Sequence, residues 1–365
     1  MTKIEHIITF LERIAPSFYQ ETYDNSGLII GNLLQSVTGI LICLDVTNEV
    51  IDEAKERGCN LIIAHHPIIF QSLNRLTGAT YTEKCIIKTI KNDIAIYAMH
   101  TNLDNVTHGV SYNLAHSIGL QDVKLLLPKK QMSYKLTTFV PHQSASYIHT
   151  LLQQLVAQST NYYPVTTNFT SKGKSSYKTY TDSGIPQLND QSATLEEEKI
   201  EVTFPKHLEQ KIIKVLQDAH PYKNSPYYIQ QLESTIDEVG SGAIGTLSLP
   251  LASRYFLKYI KTKLGIAEIA HTAYIEKSIV KVAVCGGAGS FLIKEAIKQE
   301  ADAFVTGDLK YHDFFEAEGK ILLADIGHYN SEVGTKDVIY MLLSKKFNNI
   351  VVMRCKTVTN PVYHI

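Results

Sequence analysis

The residues best suited to chemistry fall in three short stretches: Ala-His-His-Pro at 64–67, Met-His-Thr-Asn-Leu-Asp-Asn at 99–105 and Gly-His-Tyr-Asn-Ser-Glu at 327–332. His65 and His66 are adjacent, and on a continuing strand they would point to opposite faces. Both serve one site only if the chain turns there, and Pro67 is consistent with a turn. Asp104 supplies a hard anionic oxygen that can lie between two cations and lower their repulsion. His328 and Glu332 are four apart, one turn along a single helical face, the separation needed to chelate an ion. Each stretch in isolation has a plainer reading: packed or surface histidines, an Asx-turn or helix cap, and a His–Glu pair on a solvated face. Together they offer three imidazoles and two carboxylates. Mixed nitrogen and oxygen donors suit Zn first, then Mn, Fe or Ni, rather than Ca or Mg. No thiolate joins them, which argues against a closed structural zinc site. Two ions sharing so few ligands keep open positions for water, the arrangement used to generate hydroxide near neutral pH. His100 reads either as a further ligand or as a group orienting one.

The elements around these stretches place them at one kind of position. Gly-Ile-Leu-Ile-Cys-Leu-Asp-Val, Asn-Leu-Ile-Ile-Ala-His-His and Ile-Ala-Ile-Tyr-Ala-Met-His are apolar runs of strand length, each ended by a polar cluster. Helical spacing over 48–58 and 81–93 separates them, so the first 130 residues predict βα units around a mixed or parallel sheet. The rhythm returns after about Gly245: a strand at Ser278–Gly289, a helix from Ser290, a strand ending at Asp308, a helix near Tyr311–Ala317, a strand through Ile326, a helix through Leu343 and a final strand at 350–355. The two stretches read as weak repeats. Leu-Ile-Cys-Leu-Asp-Val-Thr aligns with Val-Ala-Val-Cys-Gly-Gly-Ala, and His100 and Asp104 keep the spacing of His328 and Glu332. All the candidate ligands then fall at carboxyl ends of strands, where open α/β sheets bind ligands.

Between the halves the pattern changes. Residues 159–197 are rich in Ser, Thr, Tyr, Asn and Lys, with little apolar periodicity, and predict a loop or irregular hairpin. Two β-then-α units flank it, followed by a strand-like Pro-Tyr-Tyr-Ile-Gln-Gln-Leu, an order that suits a small ferredoxin-like α+β domain. The expected organisation is a discontinuous α/β core over 1–130 and 241–365 with an inserted domain over 131–240.

Bulk properties agree with a globular protein of at least two domains: 365 residues, 44% hydrophobic and 19% charged. A formal net charge of -1 and no block of like charges exclude an electrostatic footprint for nucleic acid or an anionic membrane. The N-terminal stretch carries Glu5, His6, Glu12 and Arg13, unlike a signal peptide. No apolar run approaches the roughly 20 residues of a membrane span. Five cysteines, odd in number and without a Cys-x-x-Cys pair, predict a reduced cytoplasmic protein.

The motifs also resemble a known family. Ala-His-His-Pro-Ile-Ile-Phe, Met-His-Thr-Asn-Leu-Asp-Asn, Thr-Gly-Asp-Leu-Lys-Tyr-His-Asp (306–313) and Ile-Gly-His-Tyr-Asn-Ser-Glu resemble those of the GTP cyclohydrolase 1 type 2 homologue, or Nif-three-like, family. Tyr-Asp-Asn-Ser-Gly-Leu (23–28) is similar to its N-terminal motif, with Tyr23 where the family usually has Trp. Gly-Ser-Gly-Ala-Ile-Gly-Thr-Leu (240–247) resembles its glycine-rich re-entry stretch. The resemblance implies a dinuclear metal site built from His65, His66, Asp104, His328 and Glu332, a two-lobed α/β core of related βα halves, and a toroidal homo-hexamer. It places His100 outside the ligand set. The middle segment is similar to the PII- or CutA-like insert of longer bacterial members, although Lys223 and Asn224 replace the acidic pair of its His-Pro-Tyr motif.

Two functions follow as expectations. One is a metal-dependent hydrolase acting on a nucleotide or phosphoester, with Asp24, Asn25, His100, Asp308 and His312 as candidate supporting or catalytic groups. Asp24-Asn25 reads equally as a turn, and Asp308 as the cap of a helix over 310–317. The other is a non-catalytic ring-shaped binding or regulatory protein using a PII-like sensor or assembly domain. Cys-Gly-Gly-Ala-Gly-Ser (285–290) resembles a phosphate-cradling turn, but a tight βα connection explains it more simply. Tyr162, Tyr163, Tyr227 and Tyr228 read as strand and interface residues.

Overall fold

The computed structural model describes residues 1–129, 133–159, 168–177, 193–222, 225–232 and 239–363. The chain divides into two compact units, Met1–Lys129 with Asp237–Ile365, and Lys130–Ile236.

The first unit is mixed α/β and carries two sheets. The strands Ile40–Cys43, Leu61–Ala64 and Ala95–Ala98 are buried at every residue, as parallel strands covered on both faces must be. They lie side by side in parallel, with Gly27–Ile30 antiparallel at one edge and Val352–Arg354 parallel at the other. The helix Ile4–Ile14 buries Ile4, Ile7 and Leu11, an i, i+3, i+7 stripe, against one face together with Ile339 and Leu343. Val50, Ile51, Ala54 and Cys85, from helices Asn48–Glu56 and Tyr81–Lys91, cover the other face. Both of these helices begin on a threonine whose side chain accepts a backbone N–H of the first turn: Thr47 from Val50 and Thr80 from Glu83.

The second sheet runs Ala270–His271, Leu322–Asp325, Ala303–Gly307, Ile279–Ala288, Gly240–Leu251 and Gln121–Pro128 across its width. Its three central strands are parallel and follow the same order as the three apolar strands of the first sheet. The chain halves are nonetheless interlocked in a way the rhythm of the sequence did not predict. Gln121–Pro128, from the first half, pairs with Gly240–Leu251 in the second sheet, and the last strand, Val352–Arg354, returns to the first sheet beside Ile40–Cys43. The expected helix at Tyr311–Ala317 is a 3-10 helix, and the one from Ser290 starts with a 3-10 turn before Ile293–Lys298.

In the second unit a four-stranded antiparallel sheet runs Asn168–Tyr177, Ala193–Pro205, Ser133–Pro141 and Tyr227–Leu232. The helices His142–Ser159 and Glu209–Ala219 complete it, and Ile148, Leu152, Ile212 and Leu216 pack with Leu136, Ile200 and Val202 in its core. The described part of the stretch expected as a loop or irregular hairpin takes the hairpin form: Asn168 to Tyr177 pair residue for residue with Val202 to Ala193. The strand Asn168–Tyr177 lies at a sheet edge, and Phe169, Thr170 and Lys172 to Lys174 along it are exposed, so backbone pairing holds it and no apolar alternation marks it. The remainder of that stretch, 160–167 and 178–192, and Tyr162, Tyr163, Lys223 and Asn224 with it, lie outside the described residues. Among the described residues no helix is long and apolar enough to cross a membrane.

Candidate metal centre

Three parallel strands that end level deliver the first group of side chains. Cys43 pairs with Ala64 and Ala64 with Ala98, so the residues that follow leave one sheet edge together. The ladder continues a little beyond the strands: His65 N–H donates to Cys43 O at 3.2 Å, His66 N–H to Leu44 O at 2.9 Å and Met99 N–H to Ala64 O at 2.9 Å. His100 caps the short helix Thr101–Asp104, which carries Asp104. From the second sheet, Leu322–Asp325 ends at Gly327, where a five-residue helix His328–Glu332 begins.

The five expected ligands come together. His66 Nε2 and His328 Nε2 each lie 3.0 Å from Glu332 Oε2, and 3.3 Å from one another. His65 Nε2 lies 3.7 Å from both Glu332 Oε1 and Asp104 Oδ1. Donors sharing a tetrahedral zinc-sized ion sit roughly 3.4 Å apart, given bonds of about 2.1 Å. The two oxygens of Glu332 thus face two different donor sets. His100, which the resemblance left outside the ligand set, joins His65 and His66 in one group of close donor atoms, while His66, His328 and Glu332 form another.

His65 Nε2 and Asp104 Oδ1 are buried and have no hydrogen-bond partner, and Glu332 Oε2 is buried against the Nε2 atoms of His66 and His328. Buried polar atoms are ordinarily satisfied. Carboxylates and imidazoles brought this close form a donor set that could hold a cation.

Every imidazole is held by its other ring nitrogen. His65 Nδ1 bonds to Met99 O at 2.7 Å, His66 Nδ1 to Asp45 Oδ1 at 2.7 Å, His100 Nδ1 to Asp24 Oδ1 at 2.7 Å and His328 Nδ1 to Asp308 Oδ2 at 2.8 Å. This arrangement turns each Nε2 inward and fixes the tautomer that presents a lone pair there. Asp24 also accepts from Thr101 N–H, Thr101 Oγ and Ser26 Oγ, so it positions the 100–101 backbone as well. Asn25 is a structural tie, its Nδ2 donating to Ile69 O at 2.7 Å. Asp308 does not cap the 3-10 helix: Asp313 accepts from Lys310 N–H, and Asp325 from Leu309 N–H. His312 stands apart, exposed beside Tyr311 and Phe315 and not among the residues lining the cavity.

Electrostatics follow from this packing. Burial raises Asp104 to about 7, against the pull of His65. Burial alone would lower His66, but hydrogen bonds to Asp45 and Glu332 push it up to about 10. Glu332, helped by Asp308, lifts His328 to about 9 despite burial. Burial also works against the Glu332 carboxylate, yet His65, His328 and His66 hold it well below the ordinary range.

Asp45 is the residue sequence reasoning missed. It follows Leu-Ile-Cys-Leu at a strand end, the same position as the histidines one strand over, and Thr359 from the C-terminal segment donates to its other oxygen at 2.6 Å. The glycine-rich 285–290 turn proves to be a cradle: Gly287 has φ +67°, and a Cβ there would lie 2.3 Å from Glu332 Oε1. Its N–H donates to Ser331 Oγ at 2.8 Å and so is committed within the protein. The cluster opens into a cavity of about 830 Å³ lined also by Tyr23, Phe70 and Phe291.

Known proteins resemble this chain over nearly its whole length. The Duf34/NIF3 (NGG1p interacting factor 3) family matches residues 2–361. A GTP cyclohydrolase 1 type 2 homolog of Halalkalibacterium halodurans is 34% identical over 363 residues, covering 97% of each chain. Its Bacillus subtilis counterpart is 34% identical over 366 residues, 98% of this chain and 97% of the relative. The crystal structure of a Bacillus cereus protein related to NIF3 superposes with a TM-score of 0.81 at 32% identity, covering 100% of this chain and 99% of that one.

Proposed function

The chain belongs to the Duf34/NIF3 family, and from that premise we propose that His65, His66, Asp104, His328 and Glu332 bind two divalent metal ions, with Glu332 between them, in a hydrolase of small molecules. The observation that carries this reading is the pair of buried, unpartnered donor atoms His65 Nε2 and Asp104 Oδ1, 3.7 Å apart beside the Glu332 carboxylate. Zn suits the donors best, with Mn, Fe and Ni next. Such ions supply Lewis acidity and activation of water near neutral pH. The chain's own residues do the rest: Asp45, Asp24 and Asp308 orient imidazoles, and His100 Nε2 faces the centre, placed to ligate or to hold a proton at the substrate.

The reading extends to the whole protein. We infer that Lys130–Ile236 is a ferredoxin-like insert, supported by its β-α-β-β-α-β order and antiparallel sheet. The family resemblance supports a homo-hexameric ring. All five cysteines are free and buried, which suits a reducing, cytoplasmic setting.

A screen of nucleotides and phosphoesters with the metal-loaded protein tests the hydrolase. Turnover that disappears together with metal in His328→Ala supports it. Metal without turnover on any ester or nucleotide makes the protein a metal-dependent binding protein, and a His328→Ala protein that keeps both metal and turnover refutes the site.

A further inference from the structure

The walls of the cavity carry a charge pattern that bears on what can enter it. Among the described residues six carboxylates line it, Glu21, Asp45, Asp104, Asp308, Asp325 and Glu332, and no lysine or arginine does. Lys129 answers Glu21 from outside the cavity. The remaining five carry one more negative charge than two divalent ions would bring positive, and with a single ion the excess grows. Beyond metal ions, a polyphosphate chain is ordinarily met by lysine or arginine side chains or by backbone N–H groups at a helix N-terminus. Here the glycine-rich turn spends the N–H groups of Gly286 and Gly287 on Ser111 and Ser331.

The other conspicuous lining is aromatic. Tyr23, Phe70 and Phe291 line this same cavity yet are 72%, 54% and 62% exposed. Phe70 makes a T-shaped contact with His100, with ring centroids 5.6 Å apart at 82°, and stands half-exposed beside the donor cluster. Exposed aromatic rings at a polar site suit stacking with a planar ring, a contact indifferent to which ring it is.

Building on the hydrolytic reading of the cluster, we infer that the cavity takes an uncharged planar heteroaromatic compound, a free base or nucleoside, in preference to the corresponding nucleoside triphosphate. Its wall repels the added negative charge, and its rings hold the planar part against the donors of the cluster.

The test is equilibrium dialysis of the full-length protein, its metal content measured before and after. The probes are the common purine and pyrimidine bases, their nucleosides and the matching triphosphates. The expected result is that at least one base or nucleoside binds at least about tenfold more tightly than its triphosphate. Phe70→Ala or Phe291→Ala should weaken that binding about tenfold, the scale of one lost stacking contact, while metal content and elution volume stay unchanged. Tighter binding of a triphosphate than of its nucleoside, no binding by any base or nucleoside, or indifference to both phenylalanine substitutions would each overturn the inference. Metal content separates the two levels: a protein without bound metal refutes the hydrolytic reading, whereas a metal-loaded protein that prefers triphosphates refutes this inference alone.

Discussion

Each imidazole of the cluster is aimed by a partner on its outer nitrogen, and three of the four partners are carboxylates: Asp45, Asp24 and Asp308. Asp45→Asn and Asp308→Asn are each expected to lower metal affinity about 10- to 100-fold, because the outer partner sets both the orientation and the basicity of the ring. Competition with a chelator of known affinity measures this. Unchanged affinity in both variants would show the carboxylates to be bystanders. The raised imidazoles add a pH effect. Without metal, hydrogen bonds to carboxylates push His66 up to about 10 and Glu332 lifts His328 to about 9, which favours a proton on the ligating nitrogens at pH 7. Metal must displace those protons, so affinity should rise with pH and level off above about 10. Calorimetry in buffers of different ionisation enthalpy should record proton release at pH 7. His65, His66, Asp104, His328 and Glu332 were singled out in the sequence because three individually ordinary His/acid stretches fall at strand ends and match the motifs of one family. Asp45 was not, because one acid after an apolar strand is commonplace until Thr359, more than three hundred residues away, is seen to hold it.

At the scale of elements, the centre depends on backbone that approaches closely. Gly287 sits at positive φ with Glu332 Oε1 where a methyl group would go. Gly287→Ala should push Glu332 out of place and cost metal binding, with the secondary structure seen by circular dichroism retained. Full metal content in that variant would deny the cradle its role. The parallel strands and most helices were readable, since buried runs of four apolar residues and i, i+3, i+7 stripes carry a strong period. For Asn168–Tyr177 a hairpin was only an alternative to a loop and its strand bounds were not readable, because a mostly exposed polar edge strand shows no such period. Nor could periodicity tell which sheet would receive Gln121–Pro128 or Val352–Arg354, since partner choice is a tertiary matter.

At the scale of the molecule, the chain leaves and re-enters the first unit at one place. Pro128 pairs with Gly240 across two antiparallel strands, and Lys129 N–H donates to Val239 O at 2.8 Å. Replacing residues 130–238 by Asn-Gly should therefore close a two-residue hairpin of the favoured type. The shortened protein is expected to unfold cooperatively on heating and to bind metal with the stoichiometry of the full chain. A molten or metal-free product would mean that the core relies on the second unit. The limits expected for the insert, about 131 and 240, rest on two β-then-α units around a polar middle, and the compact units divide after Lys129 and before Asp237.

The claim on which everything else rests is that Glu332 joins two ion sites, one oxygen facing His65 and the other facing His66 and His328. Elemental analysis of the purified full-length chain beside Glu332→Gln tests it most directly, with circular dichroism to show that both are folded. Two divalent ions per wild-type chain, falling to one or none in Glu332→Gln, is the predicted result. A folded wild-type protein that takes up no metal, or a variant that retains both ions, would contradict it.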